Sequence, residues 1–204
     1  MTMTVRESAR ESAADALRHV PEPMPVEPMT WEEWLAFDPG DDTRYELVEG
    51  VPVVTPPESV LNRWAAQRLQ ELMAPARGSF VWLTNAGIEI KRDPKPTGRE
   101  ADLVVVRKES LRDTSYFRGD EVVLAVECVS AGSSDEKDWV TKRAEYARVG
   151  VRAYLVIDRA RGQLVLFNEI VDGVYSQRQD ADPEVTIELG DHHIPVRLDQ
   201  LLER

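Results

Sequence analysis

Two carboxylates sit in runs that otherwise ask to be buried. Asp102 opens the apolar stretch LVVV, and Glu127 lies inside VVLAVECV. A lone carboxylate in such a place is costly unless it is paired, protonated or bound to a cation. At the ends of adjacent central strands, the two would place hard oxygen ligands a few ångströms apart, which suits Mg²⁺ or Mn²⁺. Each is equally readable as a structural ion-pair partner, or as a strand-end acid that reaches water. Asp138, Lys142 and Tyr146 follow at i, i+4 and i+8, so a helix presents an acid, a base and a phenol along one stripe. That stripe is either an exposed Asp–Lys pair with a tyrosine packed on a sheet, or a lysine held beside the two carboxylates. In the second case it could polarise water and offset charge building on a phosphate. Glu46, in Tyr45-Glu46-Leu47, is a fourth candidate. It either aims at the same cation or faces solvent from a hairpin.

These residues need elements to carry them. Thr30 precedes WEEW as an N-cap, and Glu33 completes a capping box that starts a short helix ending near Pro39-Gly40. Tyr45 to Val54 alternates around Glu49-Gly50 and predicts a tight hairpin. Ser59 to Met73 has helical spacing, with Leu61, Ala65, Leu69 and Leu72 on the apolar side. Four strand-length runs follow: Phe80 to Thr84, Gly87 to Lys91, Ala101 to Arg107 and Glu121 to Val129. The last two are apolar enough to be central strands buried on both faces. Asp135 to Val149 predicts a helix, with Ser133 and Ser134 as cap candidates and Gly150 as its stop. Arg152 to Asp158 is another buried strand. Shorter alternating pieces (Gln163 to Asn168, Gly173 to Arg178, Val185 to Leu189) predict antiparallel edge strands before a final turn at LDQLL. This order describes an α/β protein, a mixed β-sheet flanked by helices.

With 204 residues and 23.1 kDa, the chain suffices for one domain with a real core. Residues 1–28 end in PEPMPVEP and predict a mobile arm with a proline-stiffened linker, which leaves the folded domain to 29–204. No apolar run approaches the ~20 residues of a membrane span. With neither signal nor anchor motif evident, a cytoplasmic protein is expected. The single cysteine, Cys128, excludes disulfide and Cys-rich zinc scaffolds. The formal net charge of −12 argues against a general nucleic-acid coat. That charge is unevenly spread, however. Residues 91–163 hold 15 basic and 13 acidic side chains between acidic flanks, so an anionic substrate stays possible if this middle third builds the site. Lys91, Arg92, Lys95 and Arg99 form a basic cluster on the way to Asp102; they are either phosphate contacts or a solvated loop. No Gly-x-Ser-x-Gly, P-loop or dinucleotide fingerprint occurs. His192 and His193 are adjacent, so on a strand their rings diverge and chelate poorly.

Taken together, YELVEGVPVV, GREADLVVV, LAVECVS and DWVTKRAEYARVGVRAYLVID are similar, in that order, to the Uma-type restriction endonuclease family, a branch of the PD-(D/E)xK nuclease superfamily. The resemblance spans roughly residues 30 to 202 by motif order. It implies a restriction-endonuclease-like core in which Asp102 and Glu127 hold a divalent metal, Mg²⁺ or Mn²⁺. Glu46 would help from the hairpin, Lys142 would supply the basic group from the following helix, and Asp138 and Tyr146 would support it. In the wider superfamily the lysine lies two residues after the glutamate, a place taken here by Val129. Ala101 replaces the proline usual before the metal aspartate, and Ser130-Ala131-Gly132-Ser133 replaces Ser-Pro-Ser-Thr. Asn62 stands where the family commonly has a histidine. The implied activity is metal-dependent endonucleolytic hydrolysis of DNA phosphodiesters, with a homodimer plausible for cutting both strands. A non-catalytic nuclease-fold binding module and a metal-dependent phosphoesterase acting on small nucleotides are the alternatives.

Overall fold

A computed structural model describes residues 27–40, 43–129 and 137–203. The expected N-terminal arm, except residues 27 and 28, lies outside these, as do Ser133 and Ser134 and the Ser130–Ser133 loop. Helix α1 (Trp31–Leu35) carries the expected capping box: Thr30 Oγ1 accepts from the Glu33 amide, and the Glu33 carboxylate accepts from the Thr30 amide. It ends earlier than Pro39. The hairpin β1 (Arg44–Val48) and β2 (Val51–Thr55) turns at Glu49-Gly50, both with positive φ (53° and 83°). A side chain at position 50 would also strike Pro28, whose Cβ would lie 2.7 Å away, so glycine is required twice over.

Helix α2 (Val60–Leu72) starts on Ser59, whose hydroxyl accepts from the Asn62 amide. Its buried stripe is Asn62, Ala65, Ala66 and Leu69, whereas Leu61 is exposed; the apolar stripe is rotated from the expected one because a polar residue, Asn62, points inward. The two runs expected before and after residue 85 form one strand, β3 (Phe80–Lys91). Asn85 adopts φ 53°, a left-handed conformation asparagine tolerates, and interrupts the strand without ending it. Then come β4 (Thr97–Arg107), β5 (Tyr116–Arg118) and β6 (Val122–Val129). The helix after β6 opens as a π-helical turn, Lys137–Lys142, and continues as α3 (Arg143–Val149), stopped by Gly150 at φ 89°. Strands β7 (Ala153–Asp158), β8 (Gln163–Val171), β9 (Val174–Asp180), β10 (Glu184–Leu189) and β11 (His192–Arg197) precede α4 (Leu198–Leu202).

The main sheet runs β2-β1-β4-β6-β7-β8-β9, with β3 on the other side of β4 and β5 beside β3. β6 and β7 are parallel and connected through the helix; their other sheet neighbours are antiparallel. The antiparallel pair β10–β11 forms a separate small sheet. Alternation along β4, β6 and β7 divides the core. Leu103, Val105, Leu124, Val126 and Ile157 face α2, α4 and the β10–β11 pair. Val104, Val106, Ala125, Val129 and Val156 face α3 through Tyr146 and Tyr154. β4 and β6 are thus buried on both faces, as their unbroken apolar runs require.

Candidate active site

Register brings the first two acids together. β4 and β6 pair Leu103 with Val126 and Val104 with Ala125, so the same register one step back sets Asp102 across from Glu127. The antiparallel β1–β4 contact at Leu47 and Gly98 places Glu46 beside the start of β4. The helix then closes over this corner of the sheet.

Three ties seat the helix. The Trp139 indole donates to Asp158 Oδ2 (3.1 Å), the Tyr154 hydroxyl donates to the Asp138 carbonyl (2.9 Å), and the Tyr146 hydroxyl donates to Glu127 Oε1 (3.1 Å). The wider π turn stacks Asp138 and Lys142, with 3.8 Å between Oδ1 and Nζ. Asp138, Lys142 and Tyr146 are all buried, which removes the exposed salt-bridge alternative.

Lys142 is the hub. Its ammonium donates to Glu127 Oε1 (2.7 Å) and to the Glu100 carbonyl (3.1 Å), and it forms an ion pair with Glu46 Oε1 at 3.1 Å. Burial alone would lower the Lys142 pKa. Glu127, Glu46 and Asp138 outweigh burial and hold it well above the ordinary lysine value, so the cation is permanent.

Glu46 is fully buried, which overturns its solvent-facing alternative. Its Oε1 also accepts from the Glu100 amide (3.2 Å), and its Oε2 faces Lys137 and the Arg99 guanidinium (3.3 Å). Burial pushes its carboxyl up, but Lys142, Lys137 and Arg99 together hold it down at about 2. Arg99 is thereby a correction to the expected phosphate cluster. It is 4 % exposed and clamps Glu145 through Nε (2.7 Å) and Nη2 (2.9 Å), facing the protein and not solvent. Arg92 is spent on Glu89, and Lys95 lies 3.8 Å from Glu49.

The other acids are less well matched. Glu127 is raised well above the carboxylate range by burial, which Lys142 opposes and the neighbouring Asp102 and Asp138 reinforce. Asp138 is raised chiefly by burial. Asp102 is also raised by burial, although its Oδ2 accepts from the Cys128 amide at 2.7 Å. No ion pair reaches Asp102 among the described residues. A carboxylate oxygen of Asp102, one of Glu58 and the Cys128 thiol lie within 4.8 Å of one another. Glu58 is pushed up to about 7 by burial and then by the Asp102 charge. Glu127 is outside that triplet, its Oε1 being held by Lys142 and Tyr146.

Two contributors escaped detection in the sequence. Glu58 precedes a helix cap and carries no pattern of its own. Asn62, noted only as a substitute for histidine, donates from Nδ2 to the Cys128 carbonyl and accepts from Arg159 through Oδ1. It therefore holds the strand end that carries the Asp102 hydrogen bond. A polar residue on the buried stripe of α2 is the signal that marks it. Both His192 and His193 are exposed on β11, away from this corner.

Clustered carboxylates raised by burial, with oxygens a few ångströms apart, are the donor chemistry of a divalent-cation site. Asp102 and Glu58, with the Cys128 thiol, fit such an ion. Among the described residues, no helix is long and apolar enough to cross a membrane.

The family model Uma2, described as "Putative restriction endonuclease", matches residues 31–193. Among solved structures, a "putative nuclease belonging to DUF820" from Anabaena variabilis superposes with a TM-score of 0.63. It is 13% identical and covers 86% of this chain and 98% of its own, a likeness of fold. No curated protein matches.

Proposed function

The chain belongs to the Uma2 family, and from that premise we propose that it is a metal-dependent endonuclease hydrolysing DNA phosphodiester bonds at the corner where β4, β6 and the Lys137–Val149 helix meet. The observation that carries this reading is the buried Lys142 ammonium, hydrogen-bonded to Glu127 and ion-paired with Glu46, one strand from Asp102. A buried amine so placed is a fixed positive charge in a low-dielectric pocket, where it acts on developing phosphate charge more strongly than in water.

In this reading Asp102 and Glu127 hold Mg²⁺ or Mn²⁺. The bound ion would activate water and neutralise charge on the phosphate. Lys142 keeps Glu127 oriented from one oxygen and leaves the other for binding. Tyr146 fixes that same oxygen, and Asp138 balances Lys142 from the preceding turn. Glu46 anchors the lysine from β1, and Arg99 with Glu145 locks β4 to α3. The decisive experiment is plasmid cleavage with Mg²⁺ or Mn²⁺ by wild type, Asp102→Asn and Lys142→Met. Cutting is expected to fall by roughly 100-fold or more in both variants. Equal cutting by all three proteins would remove the mechanism.

One observation favours a second reading, hydrolysis of small nucleotides. Three of the four basic residues expected to grip a polynucleotide are turned onto carboxylates, Arg92 on Glu89, Lys95 on Glu49 and Arg99 on Glu145. Activity confined to mononucleotides, with intact plasmid, would establish it.

A further inference from the structure

We propose that Glu58, not Glu46, is the third carboxylate facing the divalent cation, an inference that rests on the metal site proposed above. Glu46 has no capacity left. Its two oxygens are shared among Lys142, Lys137, Arg99 and the Glu100 amide, so a further cation there would be repelled by three others. Glu58 stands in the opposite state. Its Oε1 is buried and has no hydrogen-bond partner among the described residues. A buried acceptor without a protein donor is a standing cost, which a cation would relieve.

The position is also well held. Glu58 directly precedes Ser59, the N-cap of α2, whose hydroxyl accepts from the Asn62 amide and from Arg159. Arg159 and Asn62 in turn fix the Cys128 carbonyl, and the Cys128 amide fixes Asp102. One short network thus sets the two carboxylates at their mutual distance. The Cys128 thiol completes the triplet within 4.8 Å, and a softer donor beside two carboxylates suits Mn²⁺ better than Mg²⁺.

The test is Mn²⁺ binding to the full chain without DNA, read from the electron paramagnetic resonance signal of free Mn²⁺. Wild type, Glu58→Gln, Glu58→Ala, Asp102→Asn and Glu46→Gln are compared, with circular dichroism confirming the fold of each. Both Glu58 variants are expected to weaken Mn²⁺ roughly tenfold or more, and Asp102→Asn at least as much. Glu46→Gln, which acts on the site only through Lys142, is expected to weaken Mn²⁺ clearly less than either Glu58 variant. Should the Glu58 variants bind like wild type while Asp102→Asn does not, the assignment of Glu58 fails and the metal site stands. A Glu46→Gln loss equal to that of Glu58→Gln also overturns it. No Mn²⁺ binding by wild type, or equal binding by Asp102→Asn, removes the metal site and this inference together.

Discussion

The two sides of the polar corner are built on opposite principles. Around Lys142, carboxylates meet cations: Glu46 faces Lys142, Lys137 and Arg99, and Glu127 faces Lys142 and also accepts from the Tyr146 hydroxyl. Around Asp102, acids meet each other, with Glu58 alongside and one backbone amide as the only hydrogen bond to the Asp102 carboxylate among the described residues. The matched side is a completed structure that stabilises itself once formed. The unmatched side holds carboxylates raised by burial, Glu58 also by the Asp102 charge, and a cation would relieve both. Glu46 and Glu58 mark the extremes: three cations hold Glu46 low, whereas burial raises Glu58 and Asp102, as it raises Glu127 in spite of Lys142.

The harshest way to break the contrast is Lys142→Met. It leaves Glu46 and Glu127 buried without their shared cation, so unfolding in urea should show a loss of about 3–5 kcal/mol, beside the loss of cutting. Glu46→Gln should cost on the order of 3 kcal/mol at neutral pH. The pH profiles then separate the two sides. Glu46 has a folded value of about 2 against an ordinary 4.5, so its contribution is present above pH 4.5 and disappears as the pH falls towards 2. Glu58, at about 7, has the opposite sign. The folded chain takes up its proton first, so metal-free stability gains as the pH drops from about 7 to 4.5. Glu58→Gln should flatten that rise and Glu46→Gln should leave it, as thermal melts across this range will report.

Saturating Mn²⁺ should stabilise wild type by about 2.7 kcal/mol at a hundredfold excess over Kd. Asp102→Asn should lose most of that gain, and a gain undiminished by this substitution would place the ion elsewhere. Asn62→Ala removes the donor to the buried Cys128 carbonyl and should cost about 1–3 kcal/mol in urea. The mildest changes are Arg92→Ala and Lys95→Ala. Both residues are exposed and face carboxylates, so stability should move by less than about 0.5 kcal/mol, with filter-bound DNA almost unaffected. A strong loss of DNA binding would restore them as phosphate contacts.

Much of the frame was legible residue by residue. The Thr30 capping box, the Glu49-Gly50 turn, the Gly150 stop, and the apolar runs of β4 and β6 are local codes, set by φ preferences, caps and alternation within a few residues. The odd placement of Asp102 and Glu127 was equally visible, because charge inside an apolar run needs no partner to be conspicuous. The spacing of Asp138, Lys142 and Tyr146 also put them on one face, even though a π turn replaces the first α turn.

What the chain alone left open is which charges meet. Arg99 and Lys95 look alike in the sequence, yet one is buried against Glu145 and Glu46 and the other is exposed near Glu49. Glu46 and Glu58 are both acids flanking the hairpin, yet one is surrounded by cations and the other faces Asp102. Local propensity acts over one turn or one strand, whereas these pairings join residues tens of positions apart. Strand register and the seating of the helix decided them, because Coulomb energy depends on distance in space and on burial, neither of which is written in sequence order.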